Sequence, residues 1–309
     1  MNGFLNILKP PGLTSHDVVK YVRRLFPGTK VGHGGTLDPG AAGVLPLLLG
    51  QATRFSSYLM DLPKVYRAEL FLGLTTDTDD SSGKTVDWEE GPISLQKGEI
   101  KKILTSFLGE IEQVPPMFAA IKKKGKKLYE YAREGIVVQR PARKVQIHSL
   151  QMLAYYPPTR ILLEIGCSKG TYIRTLCAQI GAALGYGGHM SFLLRKEVGT
   201  FELAQACTLD DPVFSSGVAR ARQALLPLDY PFLDRERLCP GEKGIKKLLQ
   251  GQYIPFKELQ AQTGGASGEP VDGKILPVYT TTGEFAGLAG WKLDRAVGFQ
   301  LKPEKMIQI

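Results

Sequence analysis

The chain has 309 residues, 43% of them hydrophobic, which is enough apolar material for a packed core and too much for a disordered protein. Its 39 basic and 30 acidic residues leave a formal charge of +9, which suits a polyanionic partner and does not by itself choose nucleic acid over an anionic membrane surface. Cys167, Cys177, Cys207 and Cys239 form no C-x-x-C pair, and His16, His33, His148 and His189 have no ligand spacing, so disulfide staples and a zinc site are not expected.

The N-terminus carries Pro10-Pro11-Gly12 and no basic stretch ahead of an apolar core, so a signal peptide is not expected and the cytoplasm is. Thr14 and Ser15 are good N-caps for a helix over about 16–26. Val18, Val19, Val22, Leu25 and Phe26 make its apolar face, and Pro27-Gly28 ends it. A glycine-rich loop follows. Val44 to Leu49 is far too short to span a bilayer and contains Pro46. Val65 to Leu72 alternates as a strand, Thr76 to Lys84 reads as an acidic loop, and Ile100 to Leu108 as a helix with Ile103, Leu104, Phe107 and Leu108 on one side. Strand patterns over Lys144 to Tyr155 and Arg160 to Cys167 flank Pro157-Pro158. A helix over about Tyr172 to Leu184 and a strand over Met190 to Val198 come next.

The composition shifts after about residue 230, toward short strands, glycine turns and a polar stretch from Thr263 to Gly273. Phe285 to Leu293 and Val297 to Leu301 read as strands joined by a tight turn, within a β domain of roughly 75 residues that can fold alone. The order of elements lacks a regular βαβ rhythm. It predicts an α+β fold with a mixed, largely antiparallel sheet and flanking helices. The expected division is 1–230 and 231–309, with no internal repeat.

Four segments carry chemistry. Val31 to Gly43 sets Asp38 among five glycines and ahead of Pro39, which biases it toward extended backbone. Alone it reads as a turn; it also suits a carboxylate presented to a bulky substrate. Lys64-Val65-Tyr66-Arg67 puts an aromatic beside cations, as base stacking next to phosphates requires, though strand tyrosines usually just pack. Ser168 to Arg174 lies where a strand gives way to a helix, a place that favours anions or a simple cap. Pro115 to Arg133 holds Lys122, Lys123, Lys124, Lys126 and Lys127, then Tyr129 and Tyr131. This is a phosphate-tracking arm or a solvated charged loop.

Together these segments make the sequence resemble the TruB family of tRNA pseudouridine synthases, which act on uridine 55 of the T loop. The resemblance runs nearly end to end. It rests on Leu8 to Asp17, Lys30 to Pro39, Tyr66-Arg67, Leu72 to Asp79, the Pro-Pro-Met to Tyr-Ala-Arg segment, Gly170 to Arg174, and Phe192 to Arg195. It implies a pseudouridine synthase fold with an RNA-binding insertion at about 115–143, followed by a small C-terminal β-barrel of PUA type that binds RNA. Asp38 matches the essential aspartate and nucleophile, Tyr66 the tyrosine that stacks on the base and is a candidate to assist removal of the C5 proton, and Arg174 the arginine that pairs with the aspartate. Tyr172 and Leu193 match the uracil pocket. His33 matches a histidine that holds the T loop with its uridine turned out.

RNA contacts are expected from the arm (Lys122, Lys123, Lys124, Lys126, Lys127 and Arg133) and from Lys169 and Arg195. The resemblance implies tRNA as partner, and no cofactor, metal, membrane or protein partner is expected; with no oligomeric signal in the chain, a monomer is the default expectation. Two positions depart from the family pattern. Ala42 stands where many relatives have Thr or Ser, and Leu194 where many have Arg.

Pseudouridine formation breaks N1–C1′, turns the uracil and rejoins it through C5. That chemistry needs neither redox nor nucleotide energy, and the chain shows no P-loop and no dinucleotide fingerprint. Attack by Asp38 at C1′ and proton abstraction toward a glycal both need an ionised carboxylate. The competing readings are a non-catalytic tRNA-binding or folding protein, and a nucleotide-phosphate enzyme using the glycine loop. The latter lacks the Lys-Ser/Thr after the glycines.

Overall fold

The computed structural model describes residues 1–119, 121–123, 125–211, 214, 221–263 and 269–307. In chain order its elements are β1 (Gly3–Lys9), α1 (Ser15–Leu25), β2 (Val31–His33), β3 (Ala42–Leu49), α2 (Ser56–Asp61), β4 (Lys64–Leu72), β5 (Leu74–Thr76), β6 (Thr85–Trp88), α3 (Lys97–Ser106) and β7 (Gly109–Gln113). There follow β8 (Lys122–Lys123), β9 (Lys126–Lys127), α4 (Leu128–Arg133), β10 (Arg143–Tyr156), β11 (Arg160–Cys167), α5 (Ile173–Ala183), β12 (Gly188–Val198) and β13 (Phe201–Glu202). The last are α6 (Gly241–Leu249), β14 (Ile254–Pro255), α7 (Phe256–Thr263), β15 (Ile275–Tyr279), β16 (Phe285–Asp294) and β17 (Gly298–Met306).

The principal sheet runs β1-β3-β12-β4-β11-β10-β7, with β2 added to β3 and β13 to β12. Among the strand pairs of the described residues, β12 and β3 alone run in parallel, so the sheet is mixed and largely antiparallel. The α+β expectation holds. β1 and β3 are additions to the sequence reading. Both are buried almost throughout, so they lack the period-two signature of a half-exposed strand. The apolar run Val44–Leu49 is the body of β3, and the expected glycine loop begins and ends in strands.

Alternate residues of β4 point to one core. Ala68, Leu70 and Leu72 are buried against Leu163, Ile165, Leu176, Ile180 and Leu193, with Tyr66 packed on the same cluster. Helix α1 starts one residue earlier than expected. Thr14 Oγ1 accepts from the Asp17 N–H (3.1 Å), and Asp17 Oδ2 accepts from the Thr14 N–H (3.1 Å), which closes a capping box. Ser15 is therefore not a cap. The helix of 97–106 stops short of Leu108, which is 44% exposed rather than on the inner side. The acidic loop turns out to be the tip of the β5–β6 hairpin.

The C-terminal unit is a four-stranded antiparallel sheet, β14-β17-β16-β15, with α6 and α7 beside it. No pairing among the described residues closes it into the expected barrel. It has its own core around Leu248, Ile254, Val278, Trp291 and Leu301. It also meets the hydrophobic cluster beside β1 and β3, where Phe285 lies 5.9 Å from Phe55 and 6.2 Å from Phe232 between ring centroids. Within the polar stretch Thr263 to Gly273, residues 264–268 lie outside the described residues. No helix among the described residues is long and apolar enough to cross a membrane.

Candidate active site

The Asp38 segment is held from three sides. Asp38-Pro39-Gly40-Ala41 is a β-turn with the Ala41 N–H donating to the Asp38 carbonyl (3.1 Å), and Pro39 supplies the fixed φ that such a turn wants second. Just before it, the buried Ser15 hydroxyl accepts from the Leu37 N–H (2.9 Å) and donates to the Leu37 carbonyl (3.1 Å). After it, the Pro39 carbonyl accepts from the Gly12 N–H (2.8 Å) and Lys9 Nζ (3.2 Å). Lys9 is fully buried and also donates to the carbonyls of Pro10 and Leu13. Burial lowers its pKa to about 8, against the pull of the Asp38 charge.

Arg195 closes the third side. Its Nε donates to the Val44 carbonyl (2.8 Å), and its terminal nitrogens donate to the carbonyls of Thr36 and Gly35 (3.2 Å each). At 1% exposure this guanidinium is no surface phosphate contact, and the RNA-binding expectation for Arg195 is corrected. Parallel pairing of Gly43 with Arg195 brings the strands so close that a Cβ on Gly43 would lie 2.2 Å from the Arg195 carbonyl oxygen. The φ of Gly43, +123°, points the same way.

The turn projects Asp38 toward the N-terminal end of α5, where Arg174 is buried. Arg174 Nε is 3.0 Å from Asp38 Oδ2; the arginine side chain is 5% exposed and the aspartate side chain 40%. The rest of the guanidinium is also engaged. One terminal nitrogen donates to the Thr78 carbonyl (3.2 Å) and lies 3.6 Å from Asp80 Oδ2, and the other donates to the Phe118 carbonyl (3.1 Å). Burial pushes the Asp38 carboxyl above the usual carboxylate range; Arg174 pulls it back and Asp80 pushes it further up. The site thus offers a half-open carboxylate oriented by a fixed cation.

Tyr66 and Leu193 come from neighbouring strands and share one cluster with Leu37 and Ala41 of the Asp38 loop. Leu193 is 7% exposed and Tyr66 half-buried. Burial pushes the Tyr66 phenol up, while the Arg195 guanidinium beside it pulls it down. Tyr172 is the N-cap of α5 and makes no side-chain cap. Its backbone is fixed by the buried Gln113, whose Oε1 accepts from the Tyr172 N–H (3.0 Å). Burial raises the Tyr172 phenol as well. His33 ends β2, and its Nδ1 accepts from the Gly35 N–H (3.3 Å), so the neutral ring carries its proton on Nε2. Burial lowers the His33 pKa, which favours that neutral form.

The structure therefore brings Asp38, Tyr66, Tyr172, Arg174 and Leu193 together. The basic residues expected to meet RNA fare differently. Lys169 is exposed and paired with Asp61 (2.8 Å). Lys123 Nζ donates to the Gln139 carbonyl, and Lys126 pairs with Glu134 and sits over the Tyr131 ring, so both bond within the arm. Lys124 lies outside the described residues, as do the side chains of Lys122, Lys127 and Arg133. Sequence reasoning missed Ser15, Lys9, Gln113 and Asp80 as supports. The sequence signal for Asp80 was only the acidic run Asp77-Thr78-Asp79-Asp80, with nothing to tie it to Arg174. Among the described residues no cluster of His, Cys, Asp and Glu could hold a metal ion.

Residues 23–173 match the family described as TruB family pseudouridylate synthase (N terminal domain), and residues 174–232 match the tRNA pseudouridylate synthase B C-terminal domain. The tRNA pseudouridine synthase B of Caldanaerobacter subterraneus subsp. tengcongensis is 41% identical over 307 residues, 99% of each chain. The protein of the same name from Heliobacterium mobile is 50% identical over 268 residues, covering 82% of this chain and 86% of its own. Among solved structures, a chain of a Cbf5-Nop10-Gar1 complex superposes with a TM-score of 0.74 at 26% identity, over 98% of this chain and 84% of that one.

Proposed function

The chain belongs to the TruB family of pseudouridylate synthases, and from that we propose that it isomerises uridine 55 in the T loop of tRNA to pseudouridine, with Asp38 as the acting carboxylate. The observation that carries the assignment of Asp38 is its pairing with the buried Arg174 while the carboxylate keeps an open edge. A merely structural ion pair has no need of that open edge beside an apolar slot.

The reaction breaks N1–C1′ and forms C5–C1′, and the C5 proton leaves as N1 gains one. Asp38 must be ionised to begin it by either route, and Arg174 favours that form. A carboxylate held on this loop cannot reach the sugar of a stacked base, so the uridine is turned out of its loop. Tyr66 stacks on the detached uracil and Leu193 closes the other side, which keeps water from the sugar. Tyr172 completes the wall. His33, five residues before Asp38, fills the space that the uridine leaves.

Residues 1–230 carry the chemistry, and the insertion at about 115–143 closes on the RNA. Residues 231–309 form a PUA-like unit that adds RNA surface; their separate sheet and core support that division. Lys169 and the arm lysines meet phosphates once their internal pairs exchange for RNA. The protein works on tRNA as a monomer in the cytoplasm, with no cofactor.

The test is incubation with unmodified full-length tRNA, followed by carbodiimide treatment and primer extension. A stop at position 55 that depends on active enzyme is expected. An unmodified position 55 would sink the assignment.

A further inference from the structure

Among the described residues Arg195 is the largest side chain left with under 2% exposure, and the isomerisation steps give it no role. We propose that Arg195 is a positioning residue for the isomerisation: its guanidinium bridges the two limbs of the catalytic loop and so fixes where the Asp38 carboxylate stands. The inference rests on the isomerase reading above.

Three observations carry it. The acceptors are the carbonyls of Gly35 and Thr36, just before Asp38, and of Val44, six residues after it, so one planar group ties the entry of the loop to its exit. The backbone around it is shaped to admit it. Gly43 faces the Arg195 main chain with no room for a Cβ, and Gly35, whose carbonyl accepts from the guanidinium, holds a φ of +139° that side chains rarely adopt. Finally, these acceptors are neutral. A buried guanidinium tied to neutral carbonyls keeps its field, and that field reaches both Asp38 and Tyr66, favouring the ionised form of each. Arg195 also stands directly opposite Tyr66 in the β12–β4 register. One residue is thus anchored to the loop of the carboxylate and to the strand of the stacking tyrosine. Lysine could supply the charge but not a three-pronged planar fork.

The two contributions separate experimentally. Arg195→Lys and Arg195→Met are compared with the wild type in single turnover at saturating full-length tRNA. Affinity is measured by filter binding, and folding by thermal melts. Arg195→Lys should bind tRNA within about threefold of wild type yet react about a hundredfold more slowly, the loss expected when a reacting group moves by about 1 Å. Its acid limb should stay at the wild-type pH because the charge remains. Arg195→Met should in addition move the acid limb to higher pH, since a cation that favoured the Asp38 carboxylate is gone. Wild-type speed in folded Arg195→Lys, or a loss confined to affinity, would overturn the proposal. If Arg195→Met does not fold, Arg195→Lys decides alone. A wild type that fails to modify tRNA would instead refute the isomerase reading. The clamp is then judged by hydrogen exchange of the loop amides around Ala41, which should speed up in Arg195→Lys and refutes the clamp if unchanged.

Discussion

Arg174 Nε stands 3.0 Å from Asp38 Oδ2, and the other nitrogens of the same guanidinium are fixed by the Thr78 and Phe118 carbonyls. The cation cannot follow a displaced carboxylate; the carboxylate must come to it. Lysine at 174 keeps a charge but loses this planar division of donors. Arg174→Lys should therefore lower the single-turnover rate by about a hundredfold or more, with tRNA affinity changed by no more than about threefold. Rapid-quench assays on bound tRNA check this.

Asp38→Asn keeps the shape of the side chain and removes its charge. The turn, the Ser15 bonds and the Pro39 contacts use the backbone and survive the change. The variant should bind tRNA with nearly wild-type affinity and release no tritium from C5-labelled uridine above background. Substantial release would show that another group does the chemistry.

The pH dependence follows from the burial of Asp38. Its carboxyl is raised above the ordinary carboxylate range, and the active form is the deprotonated one. As pH falls through that raised pKa, kcat/KM should drop with unit slope. The acid limb should thus lie at higher pH than a solvent-exposed aspartate would give. A profile flat down to about pH 4 would contradict the burial. Lys9, lowered to about 8, loses its charge on the alkaline side. Lys9 stays charged as pH falls, so it cannot produce the acid limb.

Ser15 offers a test on stability. The residue looks like half of a helix cap, but its hydroxyl satisfies both backbone groups of the buried Leu37. Ser15→Ala leaves those groups unpaired, at a cost of about 2 kcal/mol. Urea unfolding should show a lower midpoint with an unchanged slope, and turnover should fall because the lost bonds lie next to Asp38.

The chemical residues were legible because their types are conspicuous: an acid among glycines, an aromatic between cations, and an arginine at a strand-to-helix junction. The supports were not. Lys9 and Arg195 are buried cations, which hydropathy assigns to the surface. Only the placement of β12 between β3 and β4 shows that Arg195 points inward. β1 and β3 were missed for a related reason, since strands buried on both faces carry no alternation. The cap of α1 was visible, and Asp17 three residues on marks Thr14 rather than Ser15 as the capping residue, while the buried role of Ser15 was not visible. That role lies in a contact 22 residues away.

The glycines of the loop can be told apart by the same geometry. By sequence all of them have the same two roles, freedom to turn and room for an approaching ligand. Gly43 has a further role. Its φ is +123° and a side chain would meet the Arg195 backbone at 2.2 Å, which cannot shift without separating β3 from β12. Gly40 has no such φ, and among the described residues nothing lies within 4 Å of a Cβ placed there. Gly43→Ala should destabilise by about 3 kcal/mol and abolish turnover, because overpacking and backbone strain add and both act on the Arg195 clamp. Gly40→Ala should leave stability within about 0.5 kcal/mol. Any deficit it shows should be in KM for tRNA, since a methyl beside Asp38 then meets only the substrate. Equal melting losses for the two variants would mean that the loop tolerates neither change, and that Gly43 is not singled out by the β3–β12 contact.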